Sequence, residues 1–367
     1  MNQNKTTSRE PLFHVVKRPE RSGRQMLLFR LGAVALSILA GGLFILAIGY
    51  NPIEIYGTIL NGAFRSKIAV QSTIKITIPL CISALGATLA FKMKFWNIGG
   101  EGQIIMGGVF ATYFALFHAD WPHLPLMIVC FLAGLIGGGV WGLIPALFKV
   151  KWNTNETLLT LMLNYIALYI ISWLQNGPWR DPTANGFPKI AAFAKNAVLS
   201  KVLGVQAGWI VMLVFTVLVW VYLKFTKQGY EVAVVGESQD TARYAGIHVK
   251  KVILRTMFLS GAIGGVCGML QACGTDATLS TGIAGGVGFT AIIVAWLCQL
   301  NPGMILVVSF LFGVLEKGSS VVQSSYGLST DCAAVLQGII LFFILASEFF
   351  VRYAFAGRSS AKGGKKA

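Results

Sequence analysis

Glu101 and Gln103 open the apolar run that ends at Phe117, and Asn97 stands just ahead of them, in the stretch Phe95-Trp96-Asn97-Ile98-Gly99-Gly100-Glu101-Gly102-Gln103. A carboxylate held against hydrocarbon costs roughly 2.5 kcal/mol or more, so Glu101 is expected to face protein or water. Two readings of this chemistry stay open. Asn97, Glu101 and Gln103 either form a polar patch that hydrogen-bonds a substrate or braces a broken helix, or Glu101 only complements the dipole of an interfacial helix N-terminus. Asn155-Glu156-Thr157 repeats the theme at the next polar-to-apolar junction but one, with Asn155 placed to cap, and Asn164 sits well inside the run that follows. For Asn164 a helix-helix hydrogen bond is preferred over a substrate ligand, and both readings are carried forward.

Enzymatic chemistry leaves marks that this chain lacks. It has no H-E-x-x-H and no G-x-S-x-G, and its histidines, His14, His118, His123 and His248, all fall outside the apolar runs. Gly286-x-Gly288-x-x-Ala291 mimics a dinucleotide fingerprint, but no βαβ pattern surrounds it. There is no G-x-x-x-x-G-K-[ST] loop either, so any ATP must be bound by another chain. The six cysteines lie in or beside apolar runs without C-x-x-C spacing, which reads as small buried hydrophobes. No metal, no cofactor and no catalytic residue is expected.

The elements that must position these residues follow from composition. Only 12% of the 367 residues are charged and 55% are hydrophobic. A soluble chain carries about 25% charged residues, so lipid must cover much of this surface. Its 42 glycines suit close approach of membrane helices. Gly134, Gly138 and Gly142, four residues apart, form such a packing seam. The expected fold is all-α, a polytopic transmembrane bundle in the plasma membrane.

A ruler of about 20 apolar residues per crossing gives ten spans. They are 31–48, 73–91, 102–117, 126–148, 158–174, 209–225, 252–273, 283–300, 304–315 and 332–352, the ninth short enough to be a half-helix. The net charge of +16 concentrates at the ends: seven basic and two acidic residues in the first 30, five basic and none acidic in the last 17. These runs lack aromatic interleaving, so the positive-inside rule accounts for them without nucleic acid, and both termini are expected in the cytoplasm. The run from Leu31 to Tyr50 is too long for the core of a cleaved signal. The layout is thus a basic segment 1–30, a transmembrane domain 31–352 holding an inner loop 226–251, and a basic tail 353–367. On the outer side, an amphipathic stretch from Lys189 to Leu203 reads as a surface helix or lid.

Gly99-Gly100-Glu101-Gly102 and Gly285-Gly286-Val287-Gly288 share the form G-G-x-G, and each follows a span rich in small residues. The preceding spans run in opposite directions, so an inverted repeat is one reading and chance in a glycine-rich chain the other.

The inner loop holds Gly229-Tyr230-Glu231-Val232 and, after Gly236, a short helical segment with Ser238 as cap, Glu237 and Asp240 at its start, and Gly246 to stop it. G-Y-E-V-x-x-V-G followed by A-R-Y-A-G-I resembles the cytoplasmic coupling segment of ABC importer permeases for simple sugars and nucleosides. N-I-G-G-E-G-Q is similar to an element of their nucleoside-type branch. This resemblance, from about Leu31 to Tyr353, implies a permease subunit forming the path for a nucleoside or simple sugar. It implies as partners an ATP-binding subunit, a second permease subunit and an extracellular substrate-binding lipoprotein, besides membrane lipid. Gly236, Glu237, Asp240, Ala242, Arg243 and Gly246 would then couple the chain to the ATPase. The rival class is an ion-coupled secondary transporter or channel, disfavoured by the scarcity of ionisable residues deep in the spans.

Overall fold

The computed structural model describes residues 13–17, 23–184, 186–328 and 353–357, with scattered positions between 335 and 346. Twelve α-helices occur among them. They are α1 (Gly23–Ala47), α2 (Pro52–Phe64), α3 (Lys67–Lys92), α4 (Gly100–Phe117), α5 (His123–Trp152), α6 (Glu156–Asn176), α7 (Gly208–Phe225), α8 (Lys227–Glu237), α9 (Gln239–Tyr244), α10 (Val249–Leu270), α11 (Val287–Leu297) and α12 (Pro302–Tyr326). Six helices among the described residues are long and apolar enough to cross a membrane, or seven if the α1–α2 pair, bent by 114°, counts as one. The chain is a multi-pass protein of the cell membrane.

The chain divides into two compact units, residues 60–318 and the combined segments 1–59 and 319–367. In the larger unit α10 packs on α3, α4 and α5, and glycines set the spacing. A methyl group on Gly142 would come within 2.7 Å of the Met257 carbonyl, and one on Gly134 within 2.8 Å of Met269 Cβ. Gly138 likewise lies against the backbone of Gly261 and Gly265. The seam expected from spacing is therefore the α5–α10 contact, where small residues let backbones touch. The helix α4 is enclosed in this packing, with 12 of its 18 residues buried. Cys81, Cys130, Cys267, Cys273 and Cys298 are all buried as expected.

In the smaller unit the Tyr56 hydroxyl donates to the Ile38 carbonyl at 2.7 Å and occupies the space that a side chain on Gly41 would need. The segments Phe13–Lys17 and Tyr353–Gly357 pair as antiparallel strands, Phe13 opposite Gly357. Both strands lie within the basic end segments, 1–30 and 353–367.

Three expectations change. The short ninth span is a full 25-residue helix, α12, while the eighth is the half-length one: α11 has 11 residues. At 1.5 Å per residue it covers about half the hydrocarbon core. Its cause is local, because Gly285 and Gly286 have φ of +55° and +82° and break the helix ahead of Val287. The stretch 189–203 is no helix. It forms a 3-10 turn, Lys195–Ala197, then two-residue strands Lys201–Val202 and Val205–Gln206. Ile190, Phe193 and Ala197 do bury, which explains the helical spacing, but the backbone is satisfied elsewhere: Phe193 N–H donates to the Ala277 carbonyl and Leu199 N–H to Cys273, both at 2.8 Å. The tenth expected span lies mostly outside the described residues.

Candidate functional site

The turn joining α3 to α4 holds itself together through side-chain amides. Asn97 Oδ1 accepts from Gly99 N–H at 2.9 Å, and its amide faces that of Gln103 across 3.4 and 3.5 Å. Asn97 Nδ2 also lies 3.5 Å from Ser260 Oγ, which donates to the Gly86 carbonyl at 2.7 Å. The helix α6 supplies the outer clamp. Asn164 Oδ1 accepts from Gly102 N–H and its Nδ2 donates to the Ile98 carbonyl, each at 2.9 Å. One turn earlier, Thr160 Oγ1 accepts from Ile98 N–H at 3.2 Å. Gly102 must be small here, since a methyl would fall 2.8 Å from Trp141 Nε1 and 3.0 Å from Asn164 Oδ1.

Glu101 points the other way. Its Oε1 accepts from Gly288 N–H at 2.7 Å, in the first turn of α11, and the side chain is only 8% exposed. The two G-G-x-G segments thus meet: the backbones of Gly100 and Gly288 are so close that a methyl on Gly100 would lie 3.3 Å from Gly288 Cα. Two helix N-termini converge with one carboxylate between them, and that charge complements the partial positive charge of α11. A hydrogen bond to a charged group contributes about 1.5–3 kcal/mol. Asn97, Glu101, Gln103 and Asn164, singled out from sequence, are therefore all buried and brought to one junction. Thr160, Ser260 and Gly288 belong to it as well and were missed. Only the G-G-x-G form carried a signal for Gly288; a lone Thr or Ser in an apolar span carries none.

The amide bonds of this junction run between its own helices, and Glu101 Oε1 carries the link to α11. The unstrained role of the junction is to hold the ends of α4 and α11 together.

The second candidate element is the pair α8–α9. Ser238 caps α9 as expected, its Oγ accepting from Thr241 N–H at 3.2 Å, and Gly246 ends it with φ of +76°. Gly236 does not bound the segment; it lies inside α8, pressed on the Lys92 carbonyl. Ala242 is fully buried in a cluster with Met93, Phe95, Val235 and Val249. That cluster pins α9 to the ends of α3 and α10. Asp240 and Arg243 pair with each other at 2.9 Å, and at 80% and 64% exposure they face away from the chain. Glu237 and Tyr244 are exposed beside them. Beneath, Arg255 bridges to Glu231 at 3.1 Å. Among the described residues no cluster of His, Cys, Asp and Glu could hold a metal ion.

Comparison with known proteins adds a family. The one described as "Branched-chain amino acid transport system / permease component" matches residues 69–345. The glucose ABC transporter permease protein TsgB13 of Haloferax volcanii is 30% identical, over 88% of this chain and 89% of its own length. The guanosine ABC transporter permease protein NupP of Bacillus subtilis is also 30% identical, over 92% of this chain and 97% of its own. The nucleoside ABC transporter permease protein NupB of Lactococcus lactis is 29% identical, over 91% and 96%.

Proposed function

Since the chain belongs to the branched-chain amino acid transport system / permease component family, we propose that it is the membrane-spanning subunit of an ATP-binding cassette importer for a nucleoside or simple sugar. What carries this reading is similarity along nearly the whole chain to permeases named for glucose, guanosine and nucleosides. In this reading ATP is hydrolysed by a separate subunit, a second permease subunit completes the path, and an extracellular binding lipoprotein delivers the solute. The chain crosses about ten times with both termini inside, and the paired G-G-x-G segments are the equivalent breaks of an inverted repeat. The junction of Asn97, Glu101, Gln103 and Asn164 lies along the path and controls the packing of its broken helices. The exposed side of α9, with Glu237, Asp240 and Arg243, seats in the ATPase, while Gly236, Ala242 and Gly246 fix that helix to the permease.

Purification of the full chain from its native membrane should bring an ATPase and a second permease with it. The reconstituted complex should take up guanosine or glucose only with ATP and binding protein present. Uptake driven by an ion gradient without an ATPase would overturn the reading.

A further inference from the structure

A π-helical turn, Gln271–Asp276, prolongs α10, so the continuous helix Val249–Asp276 has 28 residues and is about 42 Å long. That exceeds the hydrocarbon core of about 30 Å. Gly264 stands near its midpoint, and a methyl there would come within 3.1 Å of Gln103 Cβ. The first turn of α4, and with it Gly288 bonded to Glu101, therefore lies in the middle of the membrane. Residues 277–286 descend to that depth from the end of α10, twelve residues or about 18 Å away along the helix. They form no helix.

One side of this limb is packed. Leu279, Ile283 and Ala284 are buried, the first two against Gly108 of α4. The other side, Thr281, Gly282, Gly285 and Gly286, is exposed. Methyl groups on Gly282 or Gly286 would meet no atom closer than 3.8 Å. Among the described residues, the N–H groups of Gly282 and Gly285 and the carbonyls of Thr281, Gly282 and Gly285 have no hydrogen-bond partner. Lipid cannot lie against such a surface, because hydrocarbon neither donates nor accepts, and irregular backbone at this depth survives only where protein or water satisfies it. The described residues supply no partner, which leaves water.

We propose that residues 281–286 form a wall of the water-filled solute path, where the Thr281 hydroxyl and the bare peptide groups of Gly282 and Gly285 exchange water for the hydroxyls of a sugar or ribose. The inference rests on the reading of the chain as a permease. Peptide groups suit such a cargo: they donate and accept without carrying charge, and so bind a neutral polyol without trapping it. With no side chain over the glycines, ring hydroxyls reach the backbone directly.

The test places single cysteines in the full chain within the reconstituted complex and treats it with an impermeant cationic thiosulfonate. Val217, exposed on the apolar face halfway along α7, serves as the control. The reagent attacks the hydrated thiolate, so Thr281→Cys and Gly282→Cys should be modified about tenfold faster than Val217→Cys. The transported solute, guanosine or glucose, should slow modification at both. Equal rates at the three positions would overturn the proposal, since the limb would then lie against lipid or a dry protein contact. Rates at 281 and 282 that a transported solute leaves unchanged would overturn its contact with the cargo. Fast modification in a complex that takes up neither solute would uphold the water-filled wall and count against the importer reading instead, which separates the two failures.

Discussion

Asn164 meets two backbone groups with one amide, and nothing else in the described structure satisfies Gly102 N–H and the Ile98 carbonyl together. Asn164→Ala leaves both unpaired in a dry setting, at a cost of about 2–4 kcal/mol. The melting temperature of the detergent-solubilised protein should fall by several degrees. Glu101→Gln is gentler, because an amide oxygen still accepts from Gly288 N–H and only the charge at the α11 terminus is lost, about 1 kcal/mol. We expect near-normal yield and complex assembly with uptake reduced several-fold. Loss of assembly instead would make Glu101 a brace and nothing more. Gly288 tolerates less. A methyl there meets the Glu101 amide nitrogen and lies 2.8 Å from the Gly100 carbonyl carbon, so Gly288→Ala must push the two helix ends apart. Thermal unfolding should register about 1–3 kcal/mol.

At the scale of the element, α9 separates two kinds of substitution that sequence alone would treat together. Ala242 is fully buried, so a bulky replacement overpacks its cluster and costs about 1–3 kcal/mol before any partner is involved. Arg243 is exposed and pairs only with Asp240 among the described residues, a contact that contributes about 0.2–0.5 kcal/mol. Arg243→Glu should therefore leave the fold intact while abolishing stimulation of ATP hydrolysis by loaded binding protein. Pull-down of the ATPase and its activity in proteoliposomes measure this. Normal stimulation in that variant would remove α9 from the coupling. Ala242→Leu, by contrast, should lower thermal stability whether or not an ATPase is present.

For the whole molecule, the distribution of charge supports the proposed topology, which labelling tests. A cysteine placed at position 243 should react with impermeant reagents only from inside, and one at 179 or 195 only from outside; external labelling at 243 would sink both topology and coupling. Spans such as α3, α5, α6 and α7 were legible because a long apolar run has no other stable arrangement in lipid. The break before α11 was not, since Ile283 to Leu300 carries no charged residue and composition does not report the sign of φ at Gly285 and Gly286. The candidate site was half legible. Polar residues at the mouth of an apolar run, or within one, draw attention on energetic grounds, which found Asn97, Glu101 and Gln103 at a mouth and Asn164 inside a span. Their partners did not, because Ser260 reaches Asn97 across 163 positions and Gly288 reaches Glu101 across 187. Such pairs exist only once the chain has folded.

The backbone on either side of α11 is left-handed: Gly285 and Gly286 before it, Gln299 and Leu300, at φ of +52° and +59°, after it. Both ends of this 11-residue helix are therefore fixed by turns and not by fraying. Its N-terminal end is tethered to Glu101, and its C-terminal end carries Trp296, stacked on Trp96 at 5.6 Å. The turn before α4 is thus held at two places on α11, by a ring stack at Trp96 and by a hydrogen bond at Glu101. Amide exchange should show this, with protection through 291–300, where the Gln299 and Leu300 amides donate to the Trp296 and Ala295 carbonyls, and rapid exchange at 285–286; a uniform gradient along the segment would contradict it.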